Sequence, residues 1–317
     1  MQKESLLLKK IGALSIFFGL ALSFYYVTKK FDYNWSWSKV PQFFISNQVE
    51  SVQAPFDGKV EALGEGLYRL TSLSGEEFEF SAKANEIEVD DGEEVYEFDY
   101  LASKEEVKVG LLLTGLWMTA KISFCSALLS LLFGLLSGLG RLSKNPIFNW
   151  PSTVYIELIR GTPLLVQLFI IYFMIGTVVG IDSRFVCGVI ALALFAGAYA
   201  GEIIRAGIES IDSGQMEAGR SLGLTHFQTM RFVIFPQMFR RSLAALGGTF
   251  ISLIKDSSLV SVMALTDLTK AGRDIVSSSF MVFEIWIVVA ALYFVVTFLL
   301  SMLVKRLENR LSLGERS

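Results

Sequence analysis

DSGQMEAGRSLGLTHFQTMRFVIFP, residues 212–236, decides how the chain is read. It is amphipathic and basic, yet strongly apolar segments flank it on both sides. Asp212 or Ser213 suits a helix start, with Gln215 or Met216 three residues on. Met216, Ala218 and Leu222 then give a short apolar face. Gly223 should stop that helix, because glycine takes the left-handed conformation of a C-terminal cap without a Cβ penalty. Thr225 with Gln228 reads as a second capping box and opens a new helix, and Pro236 comes near that helix's end. The stretch is a knob: a short helix, a glycine corner and a second helix, projecting from a membrane protein.

Working outward, composition supports a membrane setting. The chain has 317 residues, 52% of them hydrophobic. A net charge of -3 gives no case for nucleic acid. Cys125 and Cys187 both lie in apolar stretches, so no disulfide framework is expected. One histidine, His226, excludes a histidine-based metal site by count and reads as a solvated residue. No G-x-x-x-x-G-K-[ST] occurs, so any ATP that drives the protein is handled by another chain.

The N-terminal third divides in two. Residues 1–30 carry Lys3, Lys9 and Lys10, the apolar run Ile11 to Val27, then Lys29 and Lys30. An uncleaved membrane anchor is expected, with Phe24, Tyr25 and Tyr26 as an interfacial belt. A cleaved signal peptide ending near Ala21-Leu22-Ser23 is the rival. Residues 31–106 hold 18 Asp or Glu against 5 Lys or Arg. Alternating runs such as Gly58 to Leu63 and Glu77 to Phe80, punctuated by Gly64, Gly66, Gly75 and Gly92, predict a small β domain. A solvated acidic linker is the alternative. Residues 52–60 with 89–95 resemble the barrel-sandwich hammerhead of lipoyl-type domains, although the modifiable lysine is not recognisable.

Residues 107–317 alternate apolar runs with basic loops. The run Leu111 to Leu139 is interrupted by Lys121, which is either functional or snorkels to the interface. Within Glu157-Leu158-Ile159-Arg160-Gly161-Thr162-Pro163-Leu164-Leu165-Val166-Gln167-Leu168, Thr162 is expected to cap a helix with Pro163 in its first turn. Gln167 is either an interhelical hydrogen bond or a path-lining amide. Phe185 to Ala200 is rich in small residues that permit close packing, and Glu202 and Arg205 share a helix face and can pair. Leu243 to Ile254 should re-enter the membrane, with Gly247-Gly248 as a kink or packing point. Lys255-Asp256-Ser257 then places adjacent opposite charges at membrane depth, the mark of a broken or cavity-facing backbone. Residues 266–279 form an outer segment, and Phe280 to Val304 is the last span. With an inside N-terminus, six spans put residues 31–106 outside, and the positive-inside rule agrees with Arg205, Arg220, Arg231, Arg240 and Arg241 inside.

Three of these stretches carry a resemblance. Glu217-Ala218-Gly219, three residues, Gly223, nine residues, then Val233-Ile234-Phe235-Pro236 resembles the EAA loop of ABC importer permeases, with Gly219, Val233 and Phe235 as departures. Residues 157–168, together with Tyr199 to Ile208, resemble the signatures of the polar amino acid (His/Glu/Gln/Arg) permeases, and Lys255 to Val260 resembles that family's KDTSLV. The resemblance spans about 105–310. It implies an all-α polytopic membrane protein with a type I ABC importer permease core of about five helices. An extra N-terminal helix and a β-rich extracytoplasmic domain precede that core here. It implies an inner-membrane permease subunit, with both termini cytoplasmic, that catalyses no reaction. Its partners would be ABC ATPase subunits carrying ATP and Mg, a second identical or homologous permease, a periplasmic amino acid-binding protein, and membrane lipid. Glu217, Ala218, Gly219, Gly223 and Pro236 would couple to the ATPase. Gln167, Glu202, Arg205, Lys255, Asp256 and Ser257 are candidates for the translocation path. An ion-gradient-driven transporter and a membrane-anchored sensor acting through its outer domain are the rivals.

Overall fold

The computed structural model describes residues 33–64, 66–83 and 86–312, with ten positions between 15 and 30. Those ten are helical, while most of the expected anchor over 11–27 lies outside the described residues. A 3-10 turn, Trp37–Phe43, leads into six strands: β1 Ile45–Gln53, β2 Gly58–Gly64, β3 Leu67–Ser72, β4 Glu77–Ser81, β5 Glu94–Val95 and β6 Tyr100–Val109. Eight helical elements follow. They are α1 Leu111–Leu142, α2 Pro146–Arg160, α3 Leu164–Val179, α4 Arg184–Glu209, α5 Ser213–Ser221, α6 His226–Met263, α7 Leu268–Ser279 and α8 Val282–Ser312.

The alternating sequence folds as strands because one face of each buries against the other sheet. β1 and β6 form a two-stranded antiparallel ribbon, and β4-β3-β2-β5 a four-stranded sheet. Val60, Leu70, Phe80, Val95 and Leu101 close a small core between them. β2 pairs with β5 through Gly58↔Val95 and Lys59↔Glu94, which joins the two segments singled out for the hammerhead. The domain boundary differs from expectation. β6 continues to Val109, and Gly110 turns directly into α1. A Cβ on Gly110 would lie 2.3 Å from the Phe43 carbonyl oxygen, and its N–H donates to the Phe44 carbonyl at 2.7 Å.

A second fastening joins this extension to the helices. Glu284, at the start of α8, is fully buried. It accepts from the Tyr33 hydroxyl and, at 2.6 Å, from the Ser36 N–H. Burial and the carboxylate beside it raise the Tyr33 phenol above its ordinary pKa. Val40 completes the junction by packing with Leu112, Leu268 and Ile285.

Among the described residues, four helices are long and apolar enough to cross a membrane, or five if the bent pair α2 and α3 counts as one span. In lipid no hydrophobic force drives helices together, so close contact decides packing. Small residues supply it between α1 and α4. A Cβ on Gly134 would lie 2.7 Å from the Ala200 Cβ, and one on Gly201 2.3 Å from the Ser137 hydroxyl. Gly247 is a packing point of the same kind rather than a kink, since its Cβ would meet Val304 of α8 at 2.4 Å. Two further expectations are corrected. α6 does not end near Pro236. A π-helical segment over Met230–Ile234 removes the clash, and Pro236 sits in the first turn of the α-helix that continues to Asp256. Thr162 does not cap α3: its hydroxyl donates to the Leu158 carbonyl at 2.9 Å, and Pro163 holds the cap position.

Candidate functional site

The knob forms as its caps dictate. Asp212 accepts from the Gly214 N–H at 2.7 Å and starts α5. Gly223, at φ +80°, ends it. The Gly223 N–H donates to the Arg220 carbonyl and the Leu224 N–H to the Gly219 carbonyl, the paired bonds of a Schellman motif. The Thr225–Gln228 capping box closes with both its bonds, at 2.8 and 3.2 Å.

Of the apolar face read on α5, Met216 is half-buried and packs against the cluster of Ile211 and Ile234, but the other two residues turn outward. Ala218 and Leu222 are exposed, Leu222 at 80%, while Gly219 is buried. Gly219 sits against Thr229 in the first turn of α6, which is fully buried; a Cβ on residue 219 would lie 2.5 Å from the Thr229 methyl. The departure from the family's alanine therefore has a steric reason. Its consequence is a knob whose outer surface carries Glu217, Ala218, Leu222 and Phe227, all exposed. His226 is exposed there too.

The charged residues separate into two groups. Glu202 is the hub of an ion-pair network. It meets Arg205 at 2.5 Å, Arg141 of α1 at 2.8 Å and Arg160 of α2 at 4.0 Å, and Arg205 continues to Glu209 at 2.5 Å. The expected Glu202–Arg205 pair thus belongs to a clamp across three helix ends, and Arg141 and Arg160 were not anticipated in it. Asp256 stands elsewhere. It lines a cleft of about 460 Å³ between α4 and α6, with Phe195 and Tyr199 on one wall and Gly248, Thr249 and Ser252 on the other. Lys255 is exposed and turns away, since consecutive helical residues diverge by roughly 100°. Ser257 is fully buried, and its hydroxyl donates to the Ile254 carbonyl at 2.7 Å as α turns into 3-10 geometry. The backbone there is tightened rather than broken. The clamp touches the cleft through Arg160, whose guanidinium lies 5.3 Å from the centroid of Tyr199.

Gln167 is outside the cleft. Its amide Nε2 donates to the Ile159 carbonyl at 2.7 Å, to the Thr162 carbonyl at 3.1 Å and to the Thr162 hydroxyl at 2.9 Å. It staples the 110° bend between α2 and α3, where helix ends leave carbonyls without partners. Lys121 is exposed with its ammonium 5.0 Å from the centroid of Phe185. The cleft residues Thr249, Ser252 and Asp256 were legible as one polar stripe at helical spacing, a signal that the charge-pair reading passed over.

Comparison with known proteins agrees with this geometry. Residues 130–313 match the family described as binding-protein-dependent transport system inner membrane component. The match begins beyond the last strand. The glutamine transport system permease protein of Escherichia coli (strain K12) is 39% identical over 208 residues, which cover 65% of this chain and 94% of that protein. The L-cystine transport system permease protein of Bacillus subtilis (strain 168) is 41% identical over 198 residues, 62% of this chain and 85% of that one. A crystal structure of an amino acid ABC transporter with histidines superposes with a TM-score of 0.58 at 44% identity, covering 63% of this chain and 94% of that chain. An inward-facing methionine ABC transporter, at 20% identity and a TM-score of 0.57, shares the fold. In such importers the ATPase is a separate subunit. The chain belongs to the family of binding-protein-dependent transport system inner membrane components, as a permease subunit of an ABC importer.

Proposed function

We propose that this permease carries polar amino acids inward, and that its knob transmits the ATPase's motion to the cleft between α4 and α6. The observation that carries the reading is the outward surface of α5. An isolated helix of nine residues is marginal in water. This one is nonetheless held at both ends by caps and at Gly219 by a steric contact, while Glu217, Ala218, Leu222 and Phe227 face solvent. A rigid, exposed helix with an apolar centre suits a groove on another protein. The names of the relatives, glutamine and cystine permeases, support an amino acid as the cargo.

In this reading the core has five spans, with α2 and α3 forming one. The ATPase subunits bind beneath α5, with ATP and Mg on their own residues. A second permease, identical or homologous, faces the cleft, and a periplasmic amino acid-binding protein delivers cargo from the opposite side. The arginines at the cytoplasmic ends of α1, α4 and α6 support cytoplasmic termini and an outer β domain. A cargo ammonium needs an anionic or hydroxyl-rich partner in low dielectric, which Asp256, Ser252, Thr249 and the Tyr199 ring provide. Glu202, Arg205 and Arg160 form the cytoplasmic floor of this path.

The test is uptake by proteoliposomes with pull-down of the ATPase. Glu217→Ala and Gly223→Pro should lose coupled uptake while the protein stays in the membrane, because proline cannot reach φ +80°. Asp256→Asn should retain ATPase binding but change preference among acidic, neutral and basic amino acids. Full uptake by both knob variants would sink the coupling role, and unchanged preference in the third would remove Asp256 from the path.

A further inference from the structure

The extension that precedes α1 divides sharply by charge. Residues 47–106 carry 17 Asp or Glu. Residues 33–46 and 107–111 carry none, and include Lys39 and Lys108. The acid-free part is the foot by which the β domain stands on the helices. Ile45 pairs with Val109 across the ribbon, and Val107 lies two residues along, so the pleat puts all three on one face. They are 58, 64 and 74% exposed respectively. Phe280 is 80% exposed in a left-handed turn immediately before α8, and Trp37 is 45% exposed.

These residues come from the ribbon, the 3-10 turn and the α7–α8 corner, yet all stand near the first residues of α1 and α8. At strand rise, Val107 is within about 13 Å of Leu111. Tyr33, Trp35, Trp37 and Phe283 form a cluster beside them, with Trp35 stacked on Trp37 at 5.7 Å and Tyr33 edge-on to Phe283 at 4.6 Å.

We propose that this foot is seated in the headgroup and upper acyl region of the bilayer, so that its occupant is lipid. Three observations converge on it. The exposed apolar side chains share a level near the span ends rather than a patch on one element. They continue the apolar exterior of the spans below, where Trp117 is 70% and Ile287 45% exposed. Charge is partitioned as a lipid surface favours: anionic headgroups repel carboxylates and attract lysine, residues 33–46 and 107–111 carry no carboxylate, and 17 lie within residues 47–106. Tyrosine and tryptophan are also the residue types of that interface. The body is then held at a fixed height by the Glu284 fastening on one side and by lipid on the other.

The test uses the full-length protein in nanodiscs of phosphatidylcholine and phosphatidylglycerol, where both faces are accessible, so the result is independent of orientation and of the cargo. With Cys125 and Cys187 replaced by alanine, a fluorophore is placed on Val107→Cys, Phe280→Cys or Leu73→Cys. Leu73, fully exposed in the β3–β4 hairpin, reports on the body. Lipid-borne nitroxide should remove most of the emission at 107 and 280 and leave 73 bright, and iodide in water should do the reverse. Iodide quenching at 107 and 280 as strong as at 73 would place the foot in water and overturn the proposal. Protection from both quenchers would overturn it too, by marking a contact with a second protein copy. Should the cysteine replacement prevent folding, brominated lipid is added to the unlabelled protein and to Trp37→Phe. The quenched signal must shrink in the variant, and an unchanged one would refute the seating.

Discussion

Replacing Gly219 with alanine restores the family's EAA pattern, and helix propensity alone predicts a gain of about 1 kcal/mol. The structure predicts the opposite sign. The new Cβ would lie 2.5 Å from the Thr229 methyl, 2.8 Å from its hydroxyl oxygen and 3.2 Å from its Cβ. Carbon atoms rest at about 3.5–4.0 Å, so α5 has to move away from α6 by roughly 1 Å. Overpacking of this kind costs about 1–3 kcal/mol. The net expectation is a loss of up to about 2 kcal/mol, concentrated where α5 meets α6. Thr229→Ala alone gives up a buried methyl and the hydroxyl that donates to the Thr225 carbonyl at 3.0 Å, roughly 1–2 kcal/mol. In the double variant the closest contact becomes the Cβ pair at 3.2 Å, so much of the loss should be recovered. The cycle should show a favourable coupling of about 1–2 kcal/mol. Hydrogen exchange of the α5 amides and thermal unfolding in detergent read local and global terms separately. Slower exchange in Gly219→Ala, or additive single effects, would refute the steric reasoning.

Three further outcomes are expected. Gln167→Leu removes the two amide donors shared by the Ile159 carbonyl and the two Thr162 oxygens at the α2–α3 bend, and should cost about 1–3 kcal/mol in detergent unfolding, with uptake falling only in proportion to folded protein. Glu284→Leu strands the Ser36 N–H, a loss of about 1–3 kcal/mol, and should speed hydrogen exchange across residues 33–44 while the α1–α4 contact stays protected. Glu202→Gln leaves Arg141, Arg160 and Arg205 crowded without their common anion, whereas Glu202→Gln with Arg205→Gln relieves part of that repulsion. The double variant should therefore melt higher than the single one, and equal melting points would argue against a clamp.

Capping and turn chemistry were legible because they are local. Asp212, Gly223 and the Thr225–Gln228 box each act within four residues, and each formed as read. Pro236 misled because a proline usually ends a helix. The π-helical segment that accommodates it depends on how α6 is held by its neighbours, which no local rule contains. Lys255 and Asp256 were read as a pair because they are adjacent in sequence, but helical geometry sends adjacent side chains to different surroundings. Their contrasting fates, the outer surface of the helix bundle for one and a cleft for the other, follow from the helices packed around α6.

The extension was less legible. Alternation and glycine spacing gave its strands, but not the ribbon that carries β6 to Val109. Tyr33 and Glu284 are 251 residues apart, and neither has a neighbour in sequence that points to the other. What sequence alone determined was the set of local commitments: apolar runs long enough to span, basic residues between them, helix caps at the knob and β periodicity in the acidic segment. Each follows from backbone geometry or from transfer of a side chain between water and lipid, and needs no distant partner. Only the tertiary structure decided which small residues touch, that Gly219 is required by Thr229, that Glu202 gathers three arginines and that Glu284 holds the extension. Those depend on distances between segments remote in the chain, and such distances exist only once the helices have packed.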